Sequence, residues 1–360
     1  MITYNSMMSP TYGTEEIQSV EQYVNSGGWI MEHTKTREME QMICDYTGAS
    51  YAHMVPSGTS ALLVAAMLAD IKPGTRFAAS AYTQAATVNG AILMGGVPVF
   101  VDVDTSGTID FEQIPSDVET VFVSSINGRY SADIHNKIKQ LQARGVFVVE
   151  DTAQSLGSFS YNQHHGTFGD VGIFSFGAPK IVTTGQGGAI ITNNKQLSEQ
   201  IFAIKNFGRT VGVGEVYNIM GMKFKFTDLQ ASFGVEQMRK LPEYVRKKQQ
   251  IFSWYKEELA GVVDFVPEHD NNSATVTYPD IYLRSKTQRD GLCEYLRTGS
   301  IGTRAVYDSL GRQPFHSQWA TACPVTEVLA DRGLQLPGQV SLERQDIRSI
   351  GDAVKLFLSA

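Results

Sequence analysis

The apolar run at residues 146–149 and the segments that follow it most constrain how this chain can fold. The run predicts a buried parallel strand that ends on an acidic pair whose second member is Asp151. Two more short strands are predicted at residues 172–176 and 189–192, and Lys180 lies in the turn between them. The acid and the lysine therefore follow different strands of one parallel sheet. Ligands of open α/β folds bind at the sheet edge where such residues meet.

Asp151 and Lys180 together indicate a pyridoxal phosphate (PLP) site. The lysine of such a site forms a Schiff base with the cofactor aldehyde, and an acid keeps the pyridine nitrogen protonated. Taken singly, an Asp that ends a strand is a common turn former and a lone lysine is usually a surface charge. The combination with Gln154, three residues after Asp151, and with Ser175, on the strand before Lys180, favours the cofactor site.

Six segments spread along the chain carry a family resemblance. They are residues 57–62 (SGTSAL), 95–104 (GGVPVFVDVD), 150–158 (EDTAQSLGS), 166–190, 223–237 and 301–310 (IGTRAVYDSL). Together they resemble the DegT/DnrJ/EryC1/StrS family of nucleotide-sugar aminotransferases, which are PLP enzymes of fold type I. The segments occur in the family's order over almost the whole chain, so the match depends on no single residue type.

The resemblance implies an α/β fold with two domains. The large domain has a mostly parallel central sheet flanked by helices, and a smaller α+β domain follows it. We predict the N-terminal arm and the PLP-binding domain at residues 1–240 and the small domain at residues 241–360. A chain of 360 residues is long enough for both. The alternation of strands and helices before residue 149 independently indicates βαβ units.

Residues 57–59 come directly before a helical run at residues 61–68. The N-terminus of a helix offers free backbone N–H groups and a positive dipole end, which suit a phosphate. An ordinary Ser/Thr helix cap explains the same residues. The resemblance implies that Gly58 and Thr59 bind the cofactor phosphate, with help from Ser175 and from a residue of the partner subunit.

Three positions concern the fine structure of the cofactor site. Gln84 falls where the family commonly has an aromatic residue stacked on the cofactor ring, and Ser125 falls where many members have His. Lys223 lies in the segment that reaches the partner's active site in the family, where it would contact phosphate or form an interface salt bridge. The resemblance also implies that Gln154 hydrogen-bonds the ring hydroxyl side.

Arg304 and Tyr307 match the family's substrate-side segment. Arg304 is suited to bind the carboxylate of the amino donor in bidentate fashion, although a structural ion pair is an equal alternative. The resemblance implies glutamate as donor, a nucleotide-linked keto-sugar as acceptor, with a 4-keto-6-deoxyhexose favoured, and active sites shared across a homodimer. Lys180 would be the catalytic lysine and Asp151 its electronic partner.

Related chemistry offers three alternatives to this reaction. Sugar dehydratases of the family have His in place of the lysine, so Lys180 argues against that chemistry. A non-catalytic PLP-binding relative stays open, as does an aminotransferase that acts at another position of the sugar.

Composition excludes several other classes. A net charge of −7 and a pI near 5.6, without a basic run, argue against nucleic-acid binding. The three cysteines Cys44, Cys293 and Cys323 show neither disulfide nor zinc spacing and suggest a reducing compartment. The N-terminus lacks the features of a signal peptide, and no apolar run approaches about 18 residues. We therefore expect a cytoplasmic protein without membrane contact, and no metal at the His164–His165 pair, which is predicted to lie in a turn.

Overall fold

The computed structural model describes residues 10–210 and 215–359. Residues 1–9 lie outside this part. They contain most of the N-terminal stretch that lacks the features of a signal peptide. The α-helices are α1 Thr14–Asn25, α2 Thr34–Thr47, α3 Gly58–Leu68, α4 Ala86–Leu93, α5 Ile134–Ala143, α6 Lys195–Lys205, α7 Asp228–Glu258, α8 Lys286–Thr298, α9 Pro324–Arg332 and α10 Arg344–Ser359. The strands are β1 Tyr51–Val55, β2 Arg76–Ser80, β3 Val97–Val101, β4 Thr120–Ser124, β5 Phe147–Asp151, β6 Phe159–Ser160, β7 Gln163–His164, β8 Val171–Ser175, β9 Gly188–Thr192, β10 Asn272–Ser273, β11 Asp280–Tyr282, β12 Arg304–Ala305 and β13 Gly333–Gln335.

A seven-stranded sheet with the order β1-β9-β8-β5-β4-β2-β3 forms the centre of the molecule. Strands β3, β2, β4, β5 and β8 pair in parallel, whereas β9 runs antiparallel to both β8 and β1. The predicted mostly parallel sheet is therefore confirmed. The register places Ser124 beside Asp151 and Asp151 beside Ile173, so the ends of β4, β5 and β8 meet at one edge.

Helices cover both faces of this sheet. Helices α3, α4 and α6 pack on one face, where Phe77, Phe122 and Ile190 are completely buried. Helices α2, α5 and α7 pack on the other face, against side chains such as Val121 and Ile191. Because both faces are covered, the central strands are apolar throughout rather than alternating.

A smaller antiparallel sheet with the order β11-β13-β12 packs with α8, α10 and the second half of α7. The sequence predicts one helix at residues 227–241 and another that starts at Pro242 and runs to residue 260. The structure instead has a single helix of 31 residues, α7, with Pro242 inside it. The predicted domain boundary after residue 240 falls within this helix.

One further prediction of local structure is wrong, and one is right only in part. The sequence of residues 276–283 predicts a strand, but the structure limits it to β11, because the backbone N–H groups of Thr275 and Tyr278 donate to the side chains of Ser158 and Asn127 rather than to a neighbouring strand. Of the pair predicted to lie in a turn, His165 does so, whereas His164 ends strand β7, which pairs with β6; both rings are buried. Within the described ranges, no helix combines the length and apolar character needed to cross a bilayer.

Candidate active site

Strand β5 ends on two acids that point to opposite faces of the sheet, as consecutive strand residues do. The carboxylate of Glu150 is fully buried and accepts hydrogen bonds from Tyr130 Oη at 2.8 Å and from the backbone N–H of Phe168 and Gly169, both at 2.6 Å. Its acceptor capacity is therefore used within the fold. Asp151, in contrast, faces a cavity.

This cavity has a volume of about 290 Å³ and lies at the carboxyl ends of β4, β5 and β8. Nine of the ten residues predicted from sequence line it, namely Gly58, Thr59, Gln84, Asp151, Gln154, Ser175, Lys180, Arg304 and Tyr307. The tenth, Lys223, is exposed and lies elsewhere on this chain. The roles assigned to these ten residues stay predictions, but nine of them share one space.

Lys180 is held in the turn that follows β8. Its backbone N–H donates to the carbonyl of Gly177 at 3.0 Å, and Tyr278 Oη donates to the carbonyl of Pro179 at 3.1 Å. Burial lowers the pKa of Lys180 to about 8, with the negative charge of Asp151 opposing and the positive charge of Arg304 reinforcing the shift. The amine is therefore mostly protonated near physiological pH, with a minor neutral fraction that an unperturbed lysine would lack.

Both carboxylate oxygens of Asp151 have a donor in the fold. Oδ2 accepts from Thr87 Oγ1 at 2.6 Å, and Oδ1 accepts from the backbone N–H of Ala153 at 3.2 Å. Burial raises the pKa of Asp151, while these two hydrogen bonds and the charge of Lys180 act in the opposite direction. A cation that entered the cavity would favour the ionised carboxylate further.

The N-terminus of α3 forms a second wall of the cavity. Ser57 caps this helix, and its Oγ accepts from the backbone N–H of Ser60 at 3.0 Å. A Cβ added to Gly58 would lie 2.9 Å from Cβ of Ser175, so only glycine lets the helix approach β8 this closely. The first-turn N–H groups of Gly58 and Thr59 have no acceptor within their own helix.

The residues predicted for cofactor and for substrate contact each other. Gln154 Nε2 donates to Tyr307 Oη at 2.9 Å, and Gln154 Oε1 accepts from the backbone N–H of Asn127 at 3.3 Å. The guanidinium carbon of Arg304 lies 5.3 Å from the centre of the Tyr307 ring. In the described part of the chain, Arg304 is thus placed over an aromatic ring at the cavity rather than in the alternative structural ion pair.

Comparison with known proteins identifies the family. The sequence model of the DegT/DnrJ/EryC1/StrS aminotransferase family matches residues 10–355. The chain belongs to this family.

Individual members of the DegT/DnrJ/EryC1/StrS family match over nearly their full length. The chain is 27% identical to GDP-perosamine synthase of Escherichia coli O157:H7, over 97% of this chain and 98% of that protein. It is 25% identical to GDP-perosamine synthase of Vibrio cholerae, over 98% of this chain and all of that protein. The structure of the aminotransferase TlmJ from Streptoalloteichus hindustanus superposes with a TM-score of 0.92 at 25% identity, over 98% of each chain.

Family membership confirms three predictions made from sequence. The chain is an enzyme, it is an aminotransferase of the nucleotide-sugar class, and its cofactor is PLP. The α/β fold of this class is confirmed as well.

The DegT/DnrJ/EryC1/StrS cofactor fits the residues that line the cavity. Gly58, Thr59 and Ser175 line the cavity, and the N-terminal turn of α3, to which the first two belong, offers the backbone N–H groups that suit a phosphate. A carboxylate and a partly neutral lysine face the cavity from adjacent strand ends. These are the donor, the charge and the amine that a phosphorylated pyridine aldehyde requires.

Two departures from the family pattern differ in their contacts. Gln84 lines the cavity, but its Oε1 accepts from the backbone N–H of Ala86 at 2.6 Å, which directs the amide toward the start of α4. Ser125 also lines the cavity; its Oγ donates to the carbonyl of Arg129 at 3.1 Å and lies 3.0 Å from Nδ1 of His165.

The pair His164–His165 belongs to the protein interior. His164 Nε2 accepts from the backbone N–H of Gly157 at 2.9 Å, and burial lowers the pKa of His164 to about 4. His165 lies between Ser125 and Ser160. Within residues 10–210 and 215–359, no cluster of three or more His, Cys, Asp or Glu side chains could hold a metal ion.

Several residues that line the cavity or support its walls are not predicted from the sequence. Thr83, Ser124 and Tyr278 line the cavity. Thr87 does not line it, but its hydroxyl donates to Asp151. Thr83 and Thr87 are four residues apart, Thr83 just before α4 and Thr87 in its first turn. That spacing was the available signal, but the sequence did not show which residue the hydroxyls meet.

Proposed function

We propose that this enzyme converts a nucleotide-linked keto-sugar, with a 4-keto-6-deoxyhexose favoured, into the corresponding amino sugar, with glutamate as the amino donor. The observation that carries the proposal is the shared cavity of Lys180, Asp151 and Arg304. It combines an amine, an acid and a carboxylate-binding cation in one space of about 290 Å³.

PLP supplies an electron-accepting pyridine ring when it is bound. The Nζ of Lys180 would hold the cofactor and, when free, would take up and return the proton of the reacting carbon. Its lowered pKa, about 8, would keep this amine competent as a base near neutral pH. Asp151 would accept a hydrogen bond from the protonated ring nitrogen, while Gly58, Thr59 and Ser175 would bind the phosphate and Gln154 the ring hydroxyl side.

Arg304 binds the carboxylate of glutamate in this proposal. A guanidinium recognises a carboxylate through two parallel N–H bonds, and the guanidinium of Arg304 lies next to the Tyr307 ring, 5.3 Å from its centre. Tyr307 in turn holds Gln154, so donor and cofactor are located by connected side chains.

The acceptor class follows from the relatives. Two of them are named GDP-perosamine synthase, so a GDP-linked sugar is the first candidate for this chain. The 4-keto-6-deoxyhexose rests on the family resemblance. Amination at another carbon is the second candidate, because the cavity residues bind the donor and cofactor whichever carbon carries the ketone.

We further propose that two chains complete each other's active sites in a homodimer. Lys223 is exposed on its own chain, as a residue that contacts the partner's cofactor phosphate would have to be. The adjacent segment exposes large apolar side chains, among them Tyr217, Met220 and Met222. Exposed apolar groups in such a segment favour a protein contact. The three unpaired cysteines favour the cytoplasm as the compartment.

The experiment is a panel of GDP-, UDP- and TDP-linked keto-sugars incubated with glutamate and the PLP-loaded enzyme. Mass spectrometry detects the conversion of ketone to amine, and NMR of the product identifies the aminated carbon. Lys180→Ala is the matched control and should give no product. Loaded wild-type enzyme that aminates no keto-sugar of the panel, but turns over a keto acid, would contradict the proposal.

A further inference from the structure

A chain of three hydroxyl groups ends on Asp151. Thr87 Oγ1 donates to Asp151 Oδ2 at 2.6 Å, Thr83 Oγ1 lies 2.9 Å from Thr87 Oγ1, and Ser124 Oγ lies 2.9 Å from Thr83 Oγ1. The three hydroxyl residues are at most 2% exposed. They come from two elements, since Thr83 precedes α4, Thr87 lies in its first turn and Ser124 ends β4.

The number of hydroxyl protons determines the donor and the acceptor of each of these hydrogen bonds. A hydroxyl has one proton to donate and two lone pairs that accept. Since Thr87 gives its proton to Asp151, it can only accept from Thr83, and Thr83 can then only accept from Ser124. All three O–H groups therefore point toward the carboxylate as long as Asp151 is ionised.

We propose that Thr87 is a positioning residue, which keeps the Asp151 carboxylate ionised and turned toward the cavity through this directed chain of hydroxyls. Thr87 itself does not line the cavity. It acts through Asp151, and the inference rests on the role of Asp151 in the proposed function.

Two observations support the assignment. Burial raises the pKa of Asp151, and the hydrogen bond from Thr87 is foremost among the interactions that oppose this rise. In addition, the one donor to Asp151 Oδ1 among residues 10–210 and 215–359 is the backbone N–H of Ala153 at 3.2 Å, a longer contact than the 2.6 Å bond from Thr87 to Oδ2. Loss of the threonine hydroxyl would therefore leave one oxygen of a buried carboxylate without a donor, which favours its protonation or rotation.

The test uses Thr87→Val, which keeps the shape of the side chain and removes the hydroxyl. We expect the affinity of the apoenzyme for PLP, measured by absorbance titration, to fall about ten- to a hundredfold. We expect kcat to fall while KM for both substrates stays unchanged, because Thr87 touches neither. Thr87→Ser, which restores the hydroxyl, should recover both quantities to within about threefold of wild type, less than the smallest loss expected for the valine variant.

Thr120→Val is the matched control. Thr120 is also a fully buried threonine, it lies on the same strand as Ser124, and its Oγ1 has no hydrogen-bond partner within the described residues. The control should change neither PLP affinity nor kcat. If Thr87→Val fails to fold, Thr83→Val interrupts the chain one step further from Asp151 and should produce the same changes at smaller size.

A double-mutant cycle with Asp151→Ala separates this inference from the proposed function. We expect Thr87→Val to have no further effect in the Asp151→Ala background. A loss of PLP affinity that persists undiminished there would overturn the positioning role and leave the role of Asp151 intact. If Asp151→Ala changed neither PLP affinity nor kcat, the assigned role of Asp151 would fail, and the positioning role with it.

Discussion

Two lysines with a lowered pKa differ in what their amines can do. Burial lowers the pKa of Lys180 to about 8 and that of Lys248 to about 7. The Nζ of Lys248 donates to the carbonyls of Thr277 at 2.8 Å and Gly338 at 2.5 Å, so it is committed to the backbone. Lys180 lines the cavity, and its reactivity toward an aldehyde therefore differs from that of Lys248 although both amines are weakened as bases.

Lys180→Ala should still bind PLP through the phosphate site but lose its covalent attachment and its turnover. Borohydride reduction of the loaded wild type, followed by peptide mass spectrometry, should find the cofactor on Lys180. The peptide with Lys248 serves as the internal control and should remain unmodified. Cofactor on any other lysine of the wild type would refute the assignment.

Asp151→Asn should lower kcat by about 10²–10³ with PLP still bound. Breaking one side of a buried charge pair costs roughly 3–5 kcal/mol, which corresponds to such a factor if it appears in the barrier. Steady-state kinetics on the PLP-loaded variant measures the change in kcat, and the absorbance of bound PLP reports how much of the enzyme carries the cofactor. A fully loaded variant within about threefold of wild type would remove Asp151 from the mechanism; Glu150, whose oxygens are used by backbone N–H groups, would not replace it.

Site residues that are marked by their neighbours in the sequence could be predicted. Residues whose role depends on a contact with a sequence-distant residue could not. Asp151 and Lys180 are recognisable because each follows an apolar strand. Thr87 is 64 positions away from Asp151, and only the folded sheet brings its hydroxyl to the carboxylate. The orientation of Gln84 toward Ala86 likewise depends on where α4 begins.

Among the helices, the start of α2 depends on an acid from another helix. Asp228, in the first turn of α7, accepts from the backbone N–H groups of His33, Lys35 and Thr36 at 2.8–3.0 Å and from Tyr23 Oη at 2.8 Å. Its charge thus lies at two positive helix ends. Burial would raise the pKa of Asp228, but the hydrogen bonds from Thr36, His33 and Lys35 outweigh it and hold the pKa below its usual value.

The contribution of Asp228 to stability should depend on pH. Since its folded pKa lies below the unfolded value of about 3.9, the stabilisation is present above that pH and is lost as pH falls through the folded pKa. Asp228→Asn should lower the free energy of unfolding by about 2–4 kcal/mol near neutral pH and by less in acid. Urea unfolding at several pH values measures the difference in unfolding free energy between wild type and Asp228→Asn.

A gap between wild type and Asp228→Asn that stayed constant down to about pH 3 would show that the charge is not responsible. Asp70→Asn is the control. Asp70 is 76% exposed, so its replacement should leave the unfolding free energy unchanged at every pH.

The elements that sequence analysis placed wrongly are those whose backbone depends on tertiary contacts. Pro242 predicts a helix end, but α7 continues because its first half packs on α1 and α2 and its second half on α10. Residues 276–279 are apolar enough for a strand, yet the side chain of Asn127 binds the backbone of Tyr278. Asn127 Oδ1 accepts from the N–H of Tyr278 at 3.1 Å, and Asn127 Nδ2 donates to its carbonyl at 3.0 Å.

For the whole molecule, the contact between the large and the small sheet is buried and polar. Arg129 and Asp280 form a bidentate pair at 2.7 and 2.9 Å, with both side chains at most 2% exposed. Asn127, two residues earlier, holds Tyr278, which lines the cavity. The same contact therefore joins the two sheets and shapes the active site.

Arg129→Met should lower the free energy of unfolding by about 3–5 kcal/mol, because it leaves Asp280 buried without its cation. The double variant with Asp280→Leu should recover much of this loss, since two apolar side chains replace the pair. Urea unfolding followed by fluorescence measures both. Equal losses in the single and the double variant would show that packing, and not the unpaired charge, is responsible.

Because α7 is continuous, it determines both the distance and the rotation about the helix axis between residues at its two ends. Lys248 stands twenty positions after Asp228 on this helix, about 30 Å along its axis. Each added residue would turn everything beyond it by about 100°. A single insertion would therefore swing Lys248 away from Thr277 and Gly338 while Asp228 kept its hold on α2. Changes in chain length are compatible with this architecture in its loops, whereas the phase of α7 has to be preserved residue by residue.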